Sequence, residues 1–408
     1  MIKKSSRNSL SITQFFLLAF VATTPFKLSF MQQVFATTAD RKAWLGVGFL
    51  ALVEIAMLFV VFGSARKGGL GEIAMPKALR VFLAICIAFS CFFRLVCTGG
   101  EFNDYVSQRV FDGAQWLVGL LAVLPVIAYL AHKGGGAIAK TCQIVFWLLA
   151  VVFLFDTIFA QLDGKFSNLL PLTLDGKTFV ACDKALLWFA DFSPLLFLSI
   201  NGKDKRYSKV FVTLSCVGIL LCPTLLALLM TIDYGGKAGE VAYAFEKIAM
   251  FNKFSRLVGI VDLPTACAWL ASATISLGLT LFGIVECISM LWKKLSLTKI
   301  SIAVAISFGL VSALWANNSD KVGALSVSVF RYAVTGIEFL APMIVYFFSR
   351  KSQLSENPQN SIPVAQNEQS QNIPDHSQAK KQQPTFAENS LGKTTNNTAT
   401  PRQRGNNL

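Results

Sequence analysis

The chain has 408 residues, 54% of them hydrophobic, and a mean hydropathy of +0.55, which excludes a water-soluble globule and points to an integral membrane protein. Its 37 Lys and Arg against 23 Asp and Glu leave a formal charge of +14. The basic residues lie in short clusters between apolar runs, without interleaved aromatics, so they read as topology signals and nucleic acid is not an expected partner. The 2 histidines (His132, His376) and 9 cysteines without a C-x-x-C pair supply neither a metal-ligand set nor a His-based catalytic group. No metal, no cofactor and no enzymatic activity are expected.

Lys3, Lys4 and Arg7 precede the first apolar run in the manner of a signal peptide. No short apolar core with a small-residue cleavage site follows, and further spans continue, so residues 1–10 read as a cytoplasmic N-terminus. A spanning helix needs about 20 apolar residues. Ten runs between residues 11 and 350 meet that: 11–31, 43–63, 78–97, 114–131, 138–160, 178–200, 208–231, 257–291, 299–316 and 325–349. The predicted fold class is an all-α polytopic membrane protein of about ten transmembrane helices.

Alternate loops test this count. With a cytoplasmic N-terminus, the inner loops collect Arg66, Lys67, Lys77 and Arg80; Lys133 and Lys140; Lys203, Lys205, Arg206 and Lys209; and Lys293, Lys294 and Lys299. The outer loops carry the acids, as in "TGGEFNDYVSQRVFDG" from Thr98 to Gly113. Arg350 and Lys351 then place the C-terminus inside as well. Between the seventh and eighth spans, Val241, Phe245, Ile248 and Phe251 recur at helical spacing. They predict an amphipathic helix over the outer face, a partly ordered loop being the alternative. Residues 351–408, rich in Asn, Gln, Ser and Pro and poor in aromatics, read as a disordered cytoplasmic tail.

Two spans are interrupted. The first carries "FVATTPFKLSF" (Phe20–Phe30) and the sixth "FADFSPLLF" (Phe189–Phe197), each placing polar residues and a proline near the middle of an apolar run. Broken backbone is tolerated at membrane depth only where it meets protein or a water-filled cavity. Split five and five, the ten spans put a broken helix first in each half, the pattern of an inverted-repeat transporter whose site forms where the breaks meet. Two ordinary proline kinks are the plainer alternative, since prolines recur at Pro125, Pro223, Pro264 and Pro342.

Among charges inside spans, Glu54, Asp156, Arg331 and Glu338 lie deep, while Arg94, Asp183, Lys184, Asp262 and Glu286 lie near span ends, where snorkelling accounts for them. Arg331 and Glu338 share a face of the tenth span; an ion pair with Asp156 or Glu54 and a proton relay are both open. Lys27, just past the first break, is a candidate to neutralise an acid, to stand in for a coupling cation, or to snorkel. These five, Lys27, Glu54, Asp156, Arg331 and Glu338, are the candidates for charge or ion coupling.

"SITQFFLLAF" (Ser11–Phe20), "DRKAWLGVGFLALVEIAMLFVVF" (Asp40–Phe62), "VIAYLAHKGGGAIAKTCQIVF" (Val126–Phe146), "NLLPL" (Asn168–Leu172), "FADFSPLLFL" (Phe189–Leu198) and "RLVGIVDLPTACAWLASATISLGLTLFGIVECI" (Arg256–Ile288) together resemble the spore-germination permease family, B subunits of nutrient germinant receptors within the amino acid, polyamine and organocation transporter superfamily. The resemblance covers about residues 10–350. It implies a leucine-transporter-like fold and a small-nutrient site, for an amino acid above all, formed by Thr23, Thr24, Pro25, Phe189, Asp191, Phe192 and Ser193. It further implies germination signalling with A-type and C-type receptor subunits in the inner spore membrane; a proton- or cation-coupled amino-acid transporter is the alternative function. Relatives commonly place glycines at the first break, whereas no glycine occurs between Ser11 and Ala43.

Overall fold

A computed structural model describes residues 7–110, 116–160, 165–170, 173, 175–201, 208–241, 243–250, 262–292, 294–315 and 328–356. All ten expected spans are helical within them. The first is split into Ile12–Thr23 and Pro25–Ala39; the second is Ala43–Ala65, the third Lys77–Tyr105, the fourth Trp116–Lys133 and the fifth Gly135–Phe159. The sixth is fragmented from Gly176 to Phe197. The seventh is Ser208–Tyr234, the eighth Asp262–Leu291, the ninth Leu297–Trp315 and the tenth Phe330–Glu356. The chain is a polytopic all-α membrane protein.

Local chemistry sets the ends of these elements. Ser11 and Gln14 form a reciprocal capping box: the Gln14 N–H donates to Ser11 Oγ at 3.2 Å and the Ser11 N–H donates to Gln14 Oε1 at 3.1 Å. Asp175 caps the sixth span by accepting the Thr178 N–H at 3.0 Å. Lys42 Nζ holds the same carboxylate at 2.6 Å. Gly134, at φ 89°, makes the tight turn that joins the fourth and fifth spans without a conventional loop.

The outward surface is apolar. On the fifth span Ile144, Trp147, Val151, Leu154 and Ile158 are exposed at helical spacing, Ile144 to 76%, and Val210, Leu214, Val217 and Leu221 form a similar stripe on the seventh. In water such stripes would be an aggregation liability; against lipid chains they are the expected solvent face. The eighth span packs against the third, fourth and fifth and is largely enclosed by protein, as is the third.

Three expectations about boundaries change. The supposed outer loop from Thr98 to Gly113 is helical through Tyr105, because Phe102 and Tyr105 bury fully against protein and extend the third span's apolar face. Of the amphipathic segment, Gly235–Glu240 is 3-10 helix and Ala244–Met250 a short α-helix, with Phe245 and Ile248 buried; Phe251 lies outside the described residues. The tenth span runs on to Glu356. The rest of the expected tail, 357–408, and the basic residues Lys3, Lys4, Lys203, Lys205, Arg206 and Lys293 lie outside the described residues.

The N-terminal segment is built into the bundle. Ser9–Leu10 pairs in parallel with Ser199–Ile200, at the end of the sixth span, with Ser9 opposite Ser199 and Leu10 opposite Ile200. Beside this bridge, Arg7 Nη2 donates to the Ala131 carbonyl at 2.7 Å and Arg7 Nη1 lies 3.5 Å from Glu286 at the end of the eighth span. Starts and ends of spans 1, 4, 6 and 8 are thereby tied at one face.

Candidate functional site

The two interruptions differ in kind. At the first, Thr24 keeps helical dihedrals (φ −82°, ψ −43°), and its hydroxyl bonds back to the Phe20 carbonyl at 2.5 Å, a contact that bends helices without unwinding them. Its N–H donates to the same carbonyl at 3.2 Å, and the Lys27 and Leu28 N–H groups both return to the Thr24 carbonyl, at 3.1 and 3.2 Å. Pro25 has no N–H to offer. The first span is therefore bent at Thr24, and the hydroxyl that sequence reasoning held ready for a ligand is spent on its own helix.

The sixth span truly unwinds. Helix Gly176–Ala185 tightens to 3-10 over Leu186–Phe189, is interrupted over Ala190, Asp191 and Phe192, with Ala190 at φ −121°, ψ 58°, and resumes as 3-10 over Ser193–Phe197. Buried backbone groups released in this way need partners. The third and tenth spans provide them. Arg94 donates through Nη1 to the Leu187 carbonyl at 2.9 Å and to the Ala190 carbonyl, and pairs through Nη2 with Asp191. Glu338 accepts the Phe192 N–H at 2.9 Å and the Ser193 N–H at 2.7 Å on Oε2. The hydroxyls of Ser90 and Ser193 each donate to its Oε1 at 2.5 Å. A cation thus answers the freed carbonyls and a carboxylate answers the freed N–H groups.

Lys27 lies beside this cluster. Its ammonium contacts both Glu54 oxygens at 2.5 Å and sits 4.8 Å from the centre of the Phe189 ring. Lys27 and Glu54 are 1% exposed, so the snorkelling alternative for Lys27 is excluded by its burial. Thr23 is also buried, next to Glu54. On the first span's other side, Trp269 of the eighth span donates its indole N–H to the Pro25 carbonyl at 2.8 Å while stacking on Tyr105 at 3.8 Å; Phe26, Phe30 and Phe102 complete the aromatic group.

Of the residues singled out from sequence, Thr23, Lys27, Glu54, Phe189, Asp191, Phe192, Ser193 and Glu338 come together, with Thr24 and Pro25 at the adjacent bend. Two do not. Asp156 accepts the Thr265 hydroxyl at 2.7 Å, and Arg331 pairs with Asp183 and the Tyr332 hydroxyl at the start of the tenth span. The expected ion pair of the Arg331 face with Asp156 or Glu54 is thereby corrected: Arg331 pairs with Asp183 and Glu54 with Lys27, and Glu338, on the same face as Arg331 but two turns, about 10 Å, away, meets different neighbours.

Arg94, expected near a span end, lies inside the third span because that helix extends to Tyr105, and it is 3% exposed. Glu286, also read as a snorkelling end residue, is buried beside Arg7. Arg94, Ser90, Glu101 and Trp269 were missed as site residues. A signal was present: Ser90, Arg94, Thr98 and Glu101 recur at spacings of four, four and three along an apolar helix, a polar stripe facing protein. Glu101 accepts the Trp188 indole N–H at 3.1 Å, so the stripe follows the sixth span.

The sequence matches no family model and no curated protein. The structure does match solved ones. The crystal structure of MhsT in complex with L-phenylalanine superposes with a TM-score of 0.56 over 85% of this chain and 99% of that chain, at 15% identity. A substrate-bound, outward-open sialic acid symporter that is coupled to Na+ superposes with a TM-score of 0.55 over 85% of this chain and 91% of that chain, also at 15% identity. The fold is leucine-transporter-like. Identity at this level carries the architecture and leaves ligand and coupling to the residues of this chain.

Proposed function

We propose that the chain is a secondary transporter that binds a small nutrient, an amino acid in the first instance, between the bend of the first span and the unwound stretch of the sixth. The observation that carries this is a helix interrupted over Ala190–Phe192 in the protein interior, with a charge from a neighbouring span on either side. Thr23, Thr24 and Pro25 line one wall, and Phe189, Asp191, Phe192 and Ser193 the other. Alternating access would open the site to one face by separating Ser9–Leu10 from Ser199–Ile200 and Arg7 from Glu286. The distribution of Lys and Arg supports a cell-membrane protein with residues 1–10 and the segment from 351 onward in the cytoplasm, flanking one permease-like domain of residues 11–350.

Purified protein in liposomes tests this. Labelled amino acids should accumulate when a proton or sodium gradient is imposed, and Asp191→Asn should reduce that uptake while the protein still inserts. Binding without accumulation under either gradient would overturn the transport reading. It would favour a germinant-receptor subunit acting with A-type and C-type partners, whose support is the sequence resemblance and which neighbouring genes for those subunits would strengthen.

A further inference from the structure

The freed N–H groups of a broken helix are where a transported carboxylate is ordinarily held. Here the converging N–H pair of the unwound stretch, Phe192 and Ser193, is already taken. At the first span, the N–H groups of Thr24, Lys27 and Leu28 are bonded within the helix, and Pro25 has none. At the sixth, the N–H groups of Phe192 and Ser193 converge on one oxygen of Glu338, while two hydroxyls, from Ser90 and Ser193, take the other. Glu338 is 0% exposed. A carboxylate with four donors, two to each oxygen, occupies a complete carboxylate-binding site contributed by the third and sixth spans.

We propose that Glu338 is a specificity-determining residue that fills, from within the chain, the position an incoming carboxylate would take, so that the pocket does not recognise its ligand through a carboxylate. The inference rests on the small-molecule site proposed above. It narrows that site's ligand class: the ligand is read through its other groups, an amine among them, and an amino acid and its decarboxylated amine are equivalent to the unwound stretch. The alternative, in which a ligand carboxylate displaces Glu338, would require a buried carboxylate to give up all four donors.

Matched pairs of ligands test this on the wild-type protein. Phenylalanine and phenethylamine, leucine and isoamylamine, and lysine and cadaverine are compared for binding by thermal shift and isothermal titration. Removing the carboxylate should lower affinity by less than about tenfold. A preference for the amino acid of about tenfold or more, the reading of one charge-assisted hydrogen bond, overturns the inference and leaves the small-molecule site standing. Binding of neither member of any pair overturns both. Glu338→Ala gives an independent reading, because it vacates four donors shaped for a carboxylate. Formate, against chloride at equal ionic strength, should raise the unfolding temperature of Glu338→Ala and leave wild type unchanged. A folded Glu338→Ala protein indifferent to formate overturns the inference; if the variant does not fold, the matched pairs on wild type still decide.

Discussion

Arg94 offers the most direct test of how the unwound stretch is held. Its guanidinium is 3% exposed and serves three acceptors at once: the Leu187 and Ala190 carbonyls and the Asp191 carboxylate. Arg94→Ala leaves all three without a partner. Removing one member of a buried ion pair costs about 3–5 kcal/mol, and the low end applies because Asp191 retains 15% side-chain exposure and can rehydrate in part. Two orphaned carbonyls add about 1 kcal/mol each, so the expected loss is about 5 kcal/mol, comparable with the whole stability of a small domain. Arg94→Lys should lie between, since a point charge cannot fork to three acceptors. Asp191→Ala in the Arg94→Ala background should recover about 2 kcal/mol, because the stranded charge disappears. A thiol-reactive dye reports unfolding directly: six of the nine cysteines are buried, two are half-buried and Cys267 alone is exposed. If Arg94→Ala unfolds at the wild-type midpoint, or if the Asp191→Ala change is additive with it, the cluster does not hold the break.

Three further changes probe other parts of the molecule. Lys27→Met strands Glu54 at 1% exposure and should cost about 3–5 kcal/mol, whereas Lys27→Met with Glu54→Leu should regain most of it; equal loss in single and double variants in detergent denaturation would show that the pair is not what matters. Asp175 is held well below the usual carboxylate range, first by Lys42 and then by the Thr178 N–H and hydroxyl. Its contribution is therefore present above its unfolded pKa of about 3.9 and is lost as pH falls further toward the folded value. The difference in unfolding midpoint between wild type and Asp175→Asn should accordingly shrink below about pH 4 and stay constant from pH 5 to 7. Gly69, at φ 66°, would place a Cβ 2.5 Å from the Leu196 carbonyl oxygen and 2.7 Å from that of Leu198, both backbone atoms, so Gly69→Ala should destabilise where the second span's end meets the sixth; an unchanged midpoint would mean that this contact yields without cost.

How much of this was legible in the sequence depends on the range of the interaction that decides it. The ten spans were readable because each is a local property, a run of apolar residues as long as the bilayer is thick. The breaks were readable from the polar residues beside Pro25 and Pro194, since Pro125 and Pro342, without them, sit inside continuous helices. Their form was not. Thr24 and Ser193 are both small hydroxyl residues before or at a break, yet Thr24 satisfies its own helix while Ser193 joins a carboxylate 145 residues away. The third span's extent was misjudged because Glu101 and Asp104 look like loop residues to a hydropathy count, and their helix is paid for by Phe102 and Tyr105 packing on Trp269, far along the chain.

The same reasoning bears on the missing glycines of the first span. Bare backbone at a break is useful when a ligand must reach it, and a glycine keeps the approach open. In this chain the backbone at both breaks is already met by side chains: Trp269 on Pro25, Arg94 on Leu187 and Ala190, Glu338 on Phe192 and Ser193. With these groups covered from within, close approach by a ligand's backbone-like atoms gains little from them, and Thr-Thr-Pro-Phe-Lys is compatible with the proposed site. Lys27 and Glu54 then form a neutral, fully buried wall, and Asp191, at 15% side-chain exposure, is more exposed than the other ionisable side chains paired in the cluster. A ligand that meets charge in the proposed pocket meets it at Asp191 first, in its ion pair with Arg94, so Asp191→Asn should weaken binding and, by leaving Arg94 without its counter-charge, also lower the unfolding midpoint.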